Sequence, residues 1–554
     1  MAKLDSQLSG SLTALRAVAQ NRDLRRLQLA GLGSIIGGGA YLVALVVYAY
    51  DQGGAAAVGV VSFLRLIPAA LSAPLVSSLG DRFRRRTVLI ATDVVRALLM
   101  GLAALLILVD GPPAAVYAVV CLTSIAATAF RPAQAAITPG LARTPQELAA
   151  ANAAASTITS VGGVLGPALG AVFLAATSTE LVFALNGLSF VWSAALLLGI
   201  RRAEERPATH SRNPIGREAL AGFPALLGDR DMRFLTGLYG AQALVAGTTT
   251  VFVAVLALEV LDKEQAWVGV LTTALGIGGI VGGVVALALV GRARLGSDFL
   301  VGLLLFGAPY LLVAAAPEAV VALVAFTLMG LGNTLVDVSG VGLTQRAVSD
   351  AVLARAFGTL QSILLAAVGL GSLVAPLLVS ALGARGALVA SGALLPALAV
   401  LGWRRLRGID AKAPARTREL ELLVGNPLFS PLPARTLELL AGELAPIRVP
   451  AGEPVVRLGE PGDRYYLIAS GTVHVQHATG PPTALGPGEG FGEIALLHDV
   501  PRTATVSADG NVELYALGRE QFLEALTGSA PSLAAADEVI GARLAESASR
   551  AAPA

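Results

Sequence analysis

Residues 491–506, FGEIALLHDVPRTATV, bring a glycine turn, a carboxylate and a guanidinium close together. Glycines flank Phe491, where a predicted strand gives way to a short predicted helix, EIALL. Backbone N–H groups at a helix start bind anions, and a guanidinium such as that of Arg502 suits a pair of phosphate oxygens. The carboxylate of Glu493 is placed to accept hydrogen bonds from a ribose hydroxyl. Together with Gly492, these residues indicate a cradle for a sugar phosphate.

The surrounding residues, 425–547, must position this cradle. They begin as an amphipathic helix and continue as short strands separated by the turns AGE, GEPGD, SGT and GPGEG. Many short strands with glycine and proline turns are typical of a sandwich or barrel, here a β-roll. An alanine-rich helix follows REQFLEAL. We therefore predict a C-terminal β-roll with flanking helices.

Over residues 425–530, this pattern resembles the cyclic nucleotide-binding domains of kinase regulatory subunits, gated channels and catabolite activators. The resemblance implies cAMP or cGMP as a regulatory ligand, with Glu493 at the ribose 2′-hydroxyl and Arg502 at the cyclic phosphate. Backbone contacts are expected from Gly492, Ile494 and Ala495. Thr503 is compatible in this class with guanine recognition but does not exclude adenine. The alternative is a roll that keeps the fold and has lost the ligand.

The rest of the chain is mostly apolar. Of the 554 residues, 55% are hydrophobic and 14% charged, and the mean hydropathy is +0.71. Soluble proteins carry about 25% charged residues, and about 20 apolar residues span a bilayer. We predict twelve membrane helices, at 27–50, 55–79, 87–109, 113–135, 146–176, 180–200, 232–258, 266–290, 298–315, 318–345, 351–381 and 385–403.

Lysine and arginine in the short loops predict the orientation. NRDLRRL, DRFRRR, GRARLG and WRRLR fall on one side, and the opposite loops carry few basic residues. Both termini and the roll are therefore expected on the cytoplasmic side of the cell membrane. The predicted divisions are a leader (1–26), two six-helix halves (27–200 and 232–403), a loop (201–231), a linker (404–424) and the nucleotide-binding domain (425–547).

The two halves resemble each other at a nearly constant spacing: NRDLRRL at 21–27 matches DRDMRFL at 229–235. A six-plus-six parallel repeat resembles the major facilitator superfamily. SSLGDRFRRR resembles its loop motif, with Asp81 and Arg82 matching, and GGVLGPALG resembles the helix-five motif of exporters. That glycine motif comprises Gly162, Gly166, Pro167 and Gly170. Further stretches resemble the drug or siderophore exporter branch, which implies proton-coupled export of a small molecule.

Charged residues inside the bilayer are costly and are functional candidates. Arg65 lies midway along the second predicted helix, either as a structural hydrogen-bond donor or in a cavity that favours anionic or acceptor-rich cargo. Asp93 and Arg96 share a helix face. With Arg131, Asp337 and Asp81 they are expected to form an inner gate or static ion pairs. Asp337, flanked by apolar and small residues, is the candidate proton carrier.

These observations predict a secondary active transporter, an exporter regulated by cyclic nucleotide; the alternative is a non-transporting membrane receptor. The expected partners are membrane lipid, the nucleotide, an unidentified small-molecule cargo and protons. A gated channel is disfavoured because the chain shows no selectivity-filter motif or voltage-sensing helix. Export of the nucleotide itself stays open. With the single cysteine Cys121, four scattered histidines and a net charge of +2, we expect no disulfide, resident metal, enzymatic centre or nucleic-acid partner.

Overall fold

The computed structural model describes residues 20–77, 83–200, 226–228, 230–289, 295–347, 350–412, 417–432, 434–477, 481–527 and 541. The chain divides into two compact units, Met1–Ala413 and Pro414–Ala554. The first unit is helical. The second contains two antiparallel sheets with short helices around them.

The helices of the first unit are long and apolar. They are α1 (Arg22–Ser77), α2 (Arg85–Leu108), α3 (Pro113–Ala127), α4 (Phe130–Leu141), α5 (Pro145–Ala176), α6 (Thr179–Leu198), α7 (Arg230–Ala254), α8 (Ala266–Leu289), α9 (Leu295–Gly307), α10 (Pro309–Ala315), α11 (Ala319–Ala347) and α12 (Asp350–Lys412). A π-helical turn, Val255–Val260, follows α7.

Ten segments of the described residues are long and apolar enough to cross a membrane, and two of these, in α1 and α12, are 51 and 52 residues long. Each long segment breaks at glycine. Gly54 has a φ of 60° and Gly383 a φ of 70°, in the left-handed region that glycine adopts without steric cost. Each long segment therefore contains two crossings, which gives twelve crossings in two sets of six. The predicted fold class is confirmed.

Several helix boundaries differ from the prediction. The predicted helix 113–135 is divided between α3 and α4, because Pro132 has no N–H to donate to the carbonyl of Thr128. The predicted helix 298–315 is likewise interrupted before Pro309. The last helix was predicted to end at 403 but continues to Lys412.

The helix-five glycines allow α5 to pack closely against α1. A methyl group built on Gly166 would lie 2.8 Å from Cα of Gly39, and one on Gly170 would lie 3.0 Å from Cα of Ala40. A methyl group on Gly162 would collide with Ile35. Small residues allow this approach, and α5 runs through Pro167 without ending.

The two halves meet along α5 and α8 and along α1 and α12. A methyl group on Gly276 of α8 would lie 2.8 Å from the carbonyl oxygen of Gly163 on α5. The hydroxyl of Ser372 on α12 donates to the carbonyl of Gly59 on α1 at 3.2 Å. Backbones in such close contact can slide with little change in side-chain packing.

The second unit contains a β-roll. Its helices are α13 (Thr417–Gly425), α14 (Ala434–Glu443), α15 (Glu493–Leu497) and α16 (Arg519–Thr527). Its strands are β1 (Ala445–Val449), β2 (Pro454–Val456), β3 (Arg464–Ser470), β4 (Val473–His477), β5 (Thr483–Leu485), β6 (Gly490–Phe491), β7 (Ala504–Ala508) and β8 (Val512–Gly518). They form two four-stranded antiparallel sheets with the orders β1-β8-β3-β6 and β2-β7-β4-β5.

Two hydrophobic clusters hold the roll together. One fills the space between the sheets and includes Ile468, Val473 and Leu514. The other packs the helices against β3 and β8, with the ring of Phe522 stacked on Tyr465 at 4.8 Å between centroids. The predicted linker 404–424 is largely helical, since α12 ends at Lys412 and α13 begins at Thr417.

Candidate functional sites

The first site lies where β6 turns into α15. Gly492 precedes the helix with a φ of 99°, a left-handed conformation that favours glycine. A side chain would not fit there, because a methyl group on Gly492 would lie 2.5 Å from a guanidinium nitrogen of Arg502. The first N–H groups of a helix have no intrahelical partner. The turn therefore presents backbone donors beside a cation.

Arg502 and Glu493 are the buried charged groups at this turn. Arg502 is 4% exposed and Glu493 is 2% exposed. The guanidinium donates to the carbonyl of Gly492 at 3.2 Å and to that of Arg464 at 2.7 Å. A guanidinium has five N–H donors, so three remain for another acceptor. The two carbonyls thus orient the group without exhausting its donors.

Two residues that the sequence analysis did not select also lie beside Arg502. The carboxylate of Asp463 lies 3.7 Å from the guanidinium of Arg502, and the ring of Tyr466 lies 5.8 Å from it, measured to the centroid. Tyr466 also stacks on Phe491 at 5.1 Å. The alternation of DRYYLIAS does not select this pair, because Asp463 and Tyr466 are three positions apart and only residues two or four positions apart share a strand face.

The charges of the site influence one another. Burial lowers the pKa of Arg502, while Tyr466, Asp463 and Glu493 act in the opposite direction. Burial also raises the pKa of Tyr466, assisted by Asp463, so its phenol stays neutral near pH 7.

The other residues predicted for this site lie around the same turn. Ala495 is buried, Ile494 is half-buried and Thr503 is exposed. A methyl group on Gly462 would lie 2.7 Å from Cβ of Ala495, so the loop before β3 lies directly against α15. Four of the six predicted residues, Gly492 to Ala495, thus lie at the turn and the start of α15, and Arg502 and Thr503 lie just before β7, from where the Arg502 guanidinium contacts the turn.

The second site is a cavity of about 540 Å³ inside the first six-helix half. Of the described residues that line it, the charged ones are all arginines: Arg65, Arg96 and Arg131. The lining on α1 runs from Gln28 to Leu42, a length of about 21 Å at 1.5 Å per residue. Arg65 also lines this cavity, in agreement with one of the two interpretations made from the sequence.

Arg96 is held in the cavity wall. It lies 3.3 Å from the fully buried carboxylate of Asp93 and 3.5 Å from the hydroxyl of Ser34. Its guanidinium carbon lies 3.7 Å from the centroid of the Phe190 ring, within the range of a cation–π contact. The expected pair of Asp93 and Arg96 is thus present in the structure.

The other residues of the expected gate are not joined to this pair by the contacts of the described residues. Arg131 is exposed and lines the cavity. Asp81 and Arg82 lie outside the described residues. Asp337 belongs to a separate cluster in the second half of the bundle.

In that cluster, the hydroxyl of Tyr239 donates to Oδ1 of Asp337 at 2.8 Å, and the amide of Asn333 donates to Oδ2 at 3.1 Å. The amide of Gln242 in turn donates to Asn333 at 2.8 Å. Asp337 itself is exposed rather than buried. Within the described part of the chain, neutral donors alone contact its carboxylate. The i, i+4 spacing of Asn333 and Asp337 was the readable signal.

A third feature joins the halves at one end of the bundle. The hydroxyl of Tyr50 donates to Oε2 of Glu259 at 3.3 Å, and the amide of Gln265 donates to Asp51 at 2.9 Å. We call these four residues the latch. They lie beside the glycine break of α1, and the cavity extends from the middle of the bundle away from them.

Both units have counterparts among known proteins. Residues 27–299 match the family model of the Major Facilitator Superfamily, and residues 446–529 match that of the cyclic nucleotide-binding domain. The fold of the nucleoside transporter NupG covers 70% of this chain and 99% of its own, with a TM-score of 0.61 and 13% identity. A POT family transporter gives a TM-score of 0.57 at 12% identity, over 70% of this chain and 96% of its own. These likenesses show the fold alone.

The C-terminal unit has curated relatives. A cyclic nucleotide-gated potassium channel of Mesorhizobium japonicum is 42% identical over 117 residues, which are 21% of this chain and 32% of the channel. The cAMP-dependent protein kinase regulatory subunit of Dictyostelium discoideum is 43% identical over 91 residues, 15% of this chain and 28% of that protein. The chain thus spans about a third of the length of these relatives. By these matches, the helical unit is similar to the Major Facilitator Superfamily and the C-terminal unit is similar to the cyclic nucleotide-binding domain.

Proposed function

We propose that this protein is a secondary active transporter, an exporter of a small molecule, whose conformational equilibrium is set by cAMP or cGMP. The observation that carries the proposal is the joining of a transporter fold to a roll in which buried Glu493 and Arg502 flank left-handed Gly492. The helical unit supplies the pathway, and the roll supplies the ligand-dependent control.

Orientation follows from the loops. The latch loops contain few basic residues, whereas the loops at the other end contain many, so the latch faces away from the cytoplasm. The cavity then faces the cytoplasm, and the state described here is inward-open with its outer end closed. Alternating access requires the latch to break as the cytoplasmic end closes.

Nucleotide acts by binding one of these states better than the other. A ligand with equal affinity for both states shifts nothing, and couplings between sites are typically 1–3 kcal/mol. Only residues 413–416 separate the ends of α12 and α13. A change in the helices of the roll therefore acts over a very short connection on the last membrane helix.

Proton coupling is assigned to Asp337. Its carboxylate has neutral partners, Tyr239 and Asn333, so the loss of its charge breaks no ion pair among the described residues. The exporter direction is supported by the resemblance of GGVLGPALG to the helix-five motif of exporters. The regulatory ligand is supported by the relatives that bind or respond to cyclic nucleotides.

The test uses the full chain in proteoliposomes loaded with a pH-sensitive dye. A panel of small organic anions, cations and neutral compounds is added with and without cAMP or cGMP, and compound-dependent proton movement is recorded. We expect at least one compound to move protons at a rate that nucleotide changes several-fold, and Arg502→Ala to remove the nucleotide effect alone. Nucleotide binding without movement of any compound would favour the receptor alternative.

A further inference from the structure

The cavity in the first half of the bundle carries an excess of positive charge. Its charged lining residues among the described positions are Arg65, Arg96 and Arg131. Asp93, behind the wall, compensates Arg96 at 3.3 Å. Neither of the other two forms an ion pair with a described residue. Among the described residues, two of the three cavity guanidinium groups therefore have no acidic partner.

Buried polar atoms of the cavity wall also lack hydrogen-bond partners among the described residues. Tyr41 lines the cavity, and its hydroxyl is buried and has no hydrogen-bond partner among the described residues. Its ring is fixed edge-on against Phe183 at 5.0 Å, so the hydroxyl has little freedom to turn away. The Nε of Arg96 is likewise without a partner. A buried polar group without a partner costs about 1–3 kcal/mol, which a bound acceptor would recover.

The shape and polarity suit a small organic molecule. The volume of about 540 Å³ lies within the range of small-molecule sites. Phe130 and Phe190 form an apolar wall, and the side chains of Gln134 and Asn186 lie along the same cavity. Arginine matches the planar, two-oxygen geometry of carboxylates and phosphates. A cationic cargo would find repulsion here, since the described lining contains no acidic residue.

We infer that this cavity binds small organic dianions, with one anionic group at Arg65 and Tyr41 and the second at Arg131. This inference rests on the proposed function in naming the cargo of the transporter, yet binding is measurable without transport. The required chemistry is two separate carboxylates on a compact organic body, one for each of the two arginines.

The first test changes the ligand and leaves the protein intact. The full chain in detergent is titrated by calorimetry with succinate and benzene-1,2-dicarboxylate, and with the diamides of both dicarboxylates. We expect at least one dianion to bind at least tenfold more tightly than its uncharged counterpart, and added salt to weaken the binding. Equal binding of acid and amide, or no binding of any dianion, would overturn the inference.

The second test changes the protein. Arg65→Gln and Arg131→Gln should each weaken the binding of the best dianion roughly 10–100-fold, because each removes a charge-assisted hydrogen-bonding partner. Tyr41→Phe should weaken it several-fold. Arg143→Gln is the matched control, since Arg143 belongs to the same half, is exposed and does not line the cavity. Arg65→Lys, which keeps the charge, should lose less affinity than Arg65→Gln; unchanged affinity in both glutamine variants would place the ligand elsewhere.

The two proposals fail in different ways. Dianion binding without movement of any tested compound across the proteoliposome membrane would refute transport and leave this inference standing. Transport of cationic or neutral compounds alone, with no dianion binding, would refute the inference and leave the transporter standing.

Discussion

Tyr50 donates a hydrogen bond to Glu259 across the two halves of the bundle, 3.3 Å from oxygen to oxygen. The matching bond from Gln265 to Asp51 runs in the opposite direction, from the second half to the first. Each half thus contributes a donor and an acid to one end of the molecule. Both bonds must break if that end is to open.

Removing these bonds should favour the state in which the latch end is open. Tyr50→Phe with Gln265→Leu should shift the equilibrium roughly 5–150-fold, since the two bonds contribute about 0.5–1.5 kcal/mol each. The measurement is labelling of a cysteine introduced at Ala57 by a membrane-impermeant maleimide, with Cys121 replaced by alanine. Faster labelling from the latch side is expected.

Tyr117→Phe is the matched control for that experiment. The hydroxyl of Tyr117 is buried and has no hydrogen-bond partner among the described residues, so its removal should leave the labelling rate unchanged. A latch variant that labels no faster than this control would show that the two bonds do not hold the end closed.

Arg502→Ala should abolish cAMP and cGMP binding. The substitution removes the buried cation at the turn, together with the bonds to the carbonyls of Gly492 and Arg464. We expect a loss of at least 100-fold in affinity by calorimetry on the full chain, whereas the helical content measured by circular dichroism stays the same.

Arg448→Ala provides the comparison for Arg502. Arg448 lies on the same roll, is largely exposed and pairs with Glu513 at 3.2 Å. Exposed pairs of this kind contribute about 0–1 kcal/mol. The Arg448→Ala variant should bind nucleotide as tightly as the unmodified chain. Tight binding by the Arg502→Ala variant would disprove the assignment of Arg502 to the phosphate.

Glu493→Gln tests the sugar contact through the ligand as well as through the protein. If the carboxylate accepts a hydrogen bond from the ribose 2′-hydroxyl, the substitution should weaken the binding of cAMP roughly 10-fold or more. The binding of 2′-deoxy-cAMP should stay nearly the same. The unmodified chain should in turn bind 2′-deoxy-cAMP about 10-fold more weakly than cAMP. Equal losses for both ligands would mean that Glu493 acts on the fold of the turn and not on the sugar.

The sequence predicted the membrane crossings well because run length and apolar character suffice to define them. Gly54 and Gly383 turn the chain between two crossings, as the predicted gaps at 50–55 and 381–385 required. A run of apolar residues shows where the chain crosses the bilayer, however, and not where the helix itself ends. It therefore missed the last turns of α12, where Arg405 binds the carboxylate of Asp231 at 3.0 Å outside the apolar run.

Contacts between distant residues were beyond sequence reasoning. Glu493 and Arg502 are nine positions apart on one turn, and their common location was predictable. Tyr239 and Asp337 are 98 positions apart, and only the packing of α7 beside α11 brings them together. The same holds for Tyr466, which reaches Arg502 through the pairing of β3 with β6.

Asp337→Asn should uncouple transport from protons. The amide keeps the size of the side chain and cannot exchange a proton near neutral pH, so uphill transport driven by a pH gradient should fall at least 10-fold. Exchange of labelled for unlabelled cargo, which needs no net proton movement, should continue. The assay compares both modes in the same proteoliposomes.

Asp231→Asn is the control acid in the same half. Its carboxylate pairs with Arg405 at 3.0 Å near the end of the bundle, so gradient-driven transport should persist. Full gradient-driven activity of the Asp337 variant would remove that residue from the proton path.

Two substitutions of Tyr466 distinguish the role of its ring from that of its hydroxyl. Its face stacks on Phe491 with an interplanar angle of 16°, and the guanidinium of Arg502 lies 5.8 Å from its centroid. Tyr466→Phe keeps both contacts and should retain nucleotide affinity within a few-fold. Tyr466→Leu loses both, which should destabilise the roll by about 1–3 kcal/mol and weaken nucleotide binding, since the orientation of Arg502 is no longer supported. Thermal unfolding of the full chain, followed in the β-sheet signal, together with calorimetric titration, would distinguish the two variants. Equal behaviour of Phe and Leu at this position would show that the carbonyls of Gly492 and Arg464 orient the guanidinium by themselves.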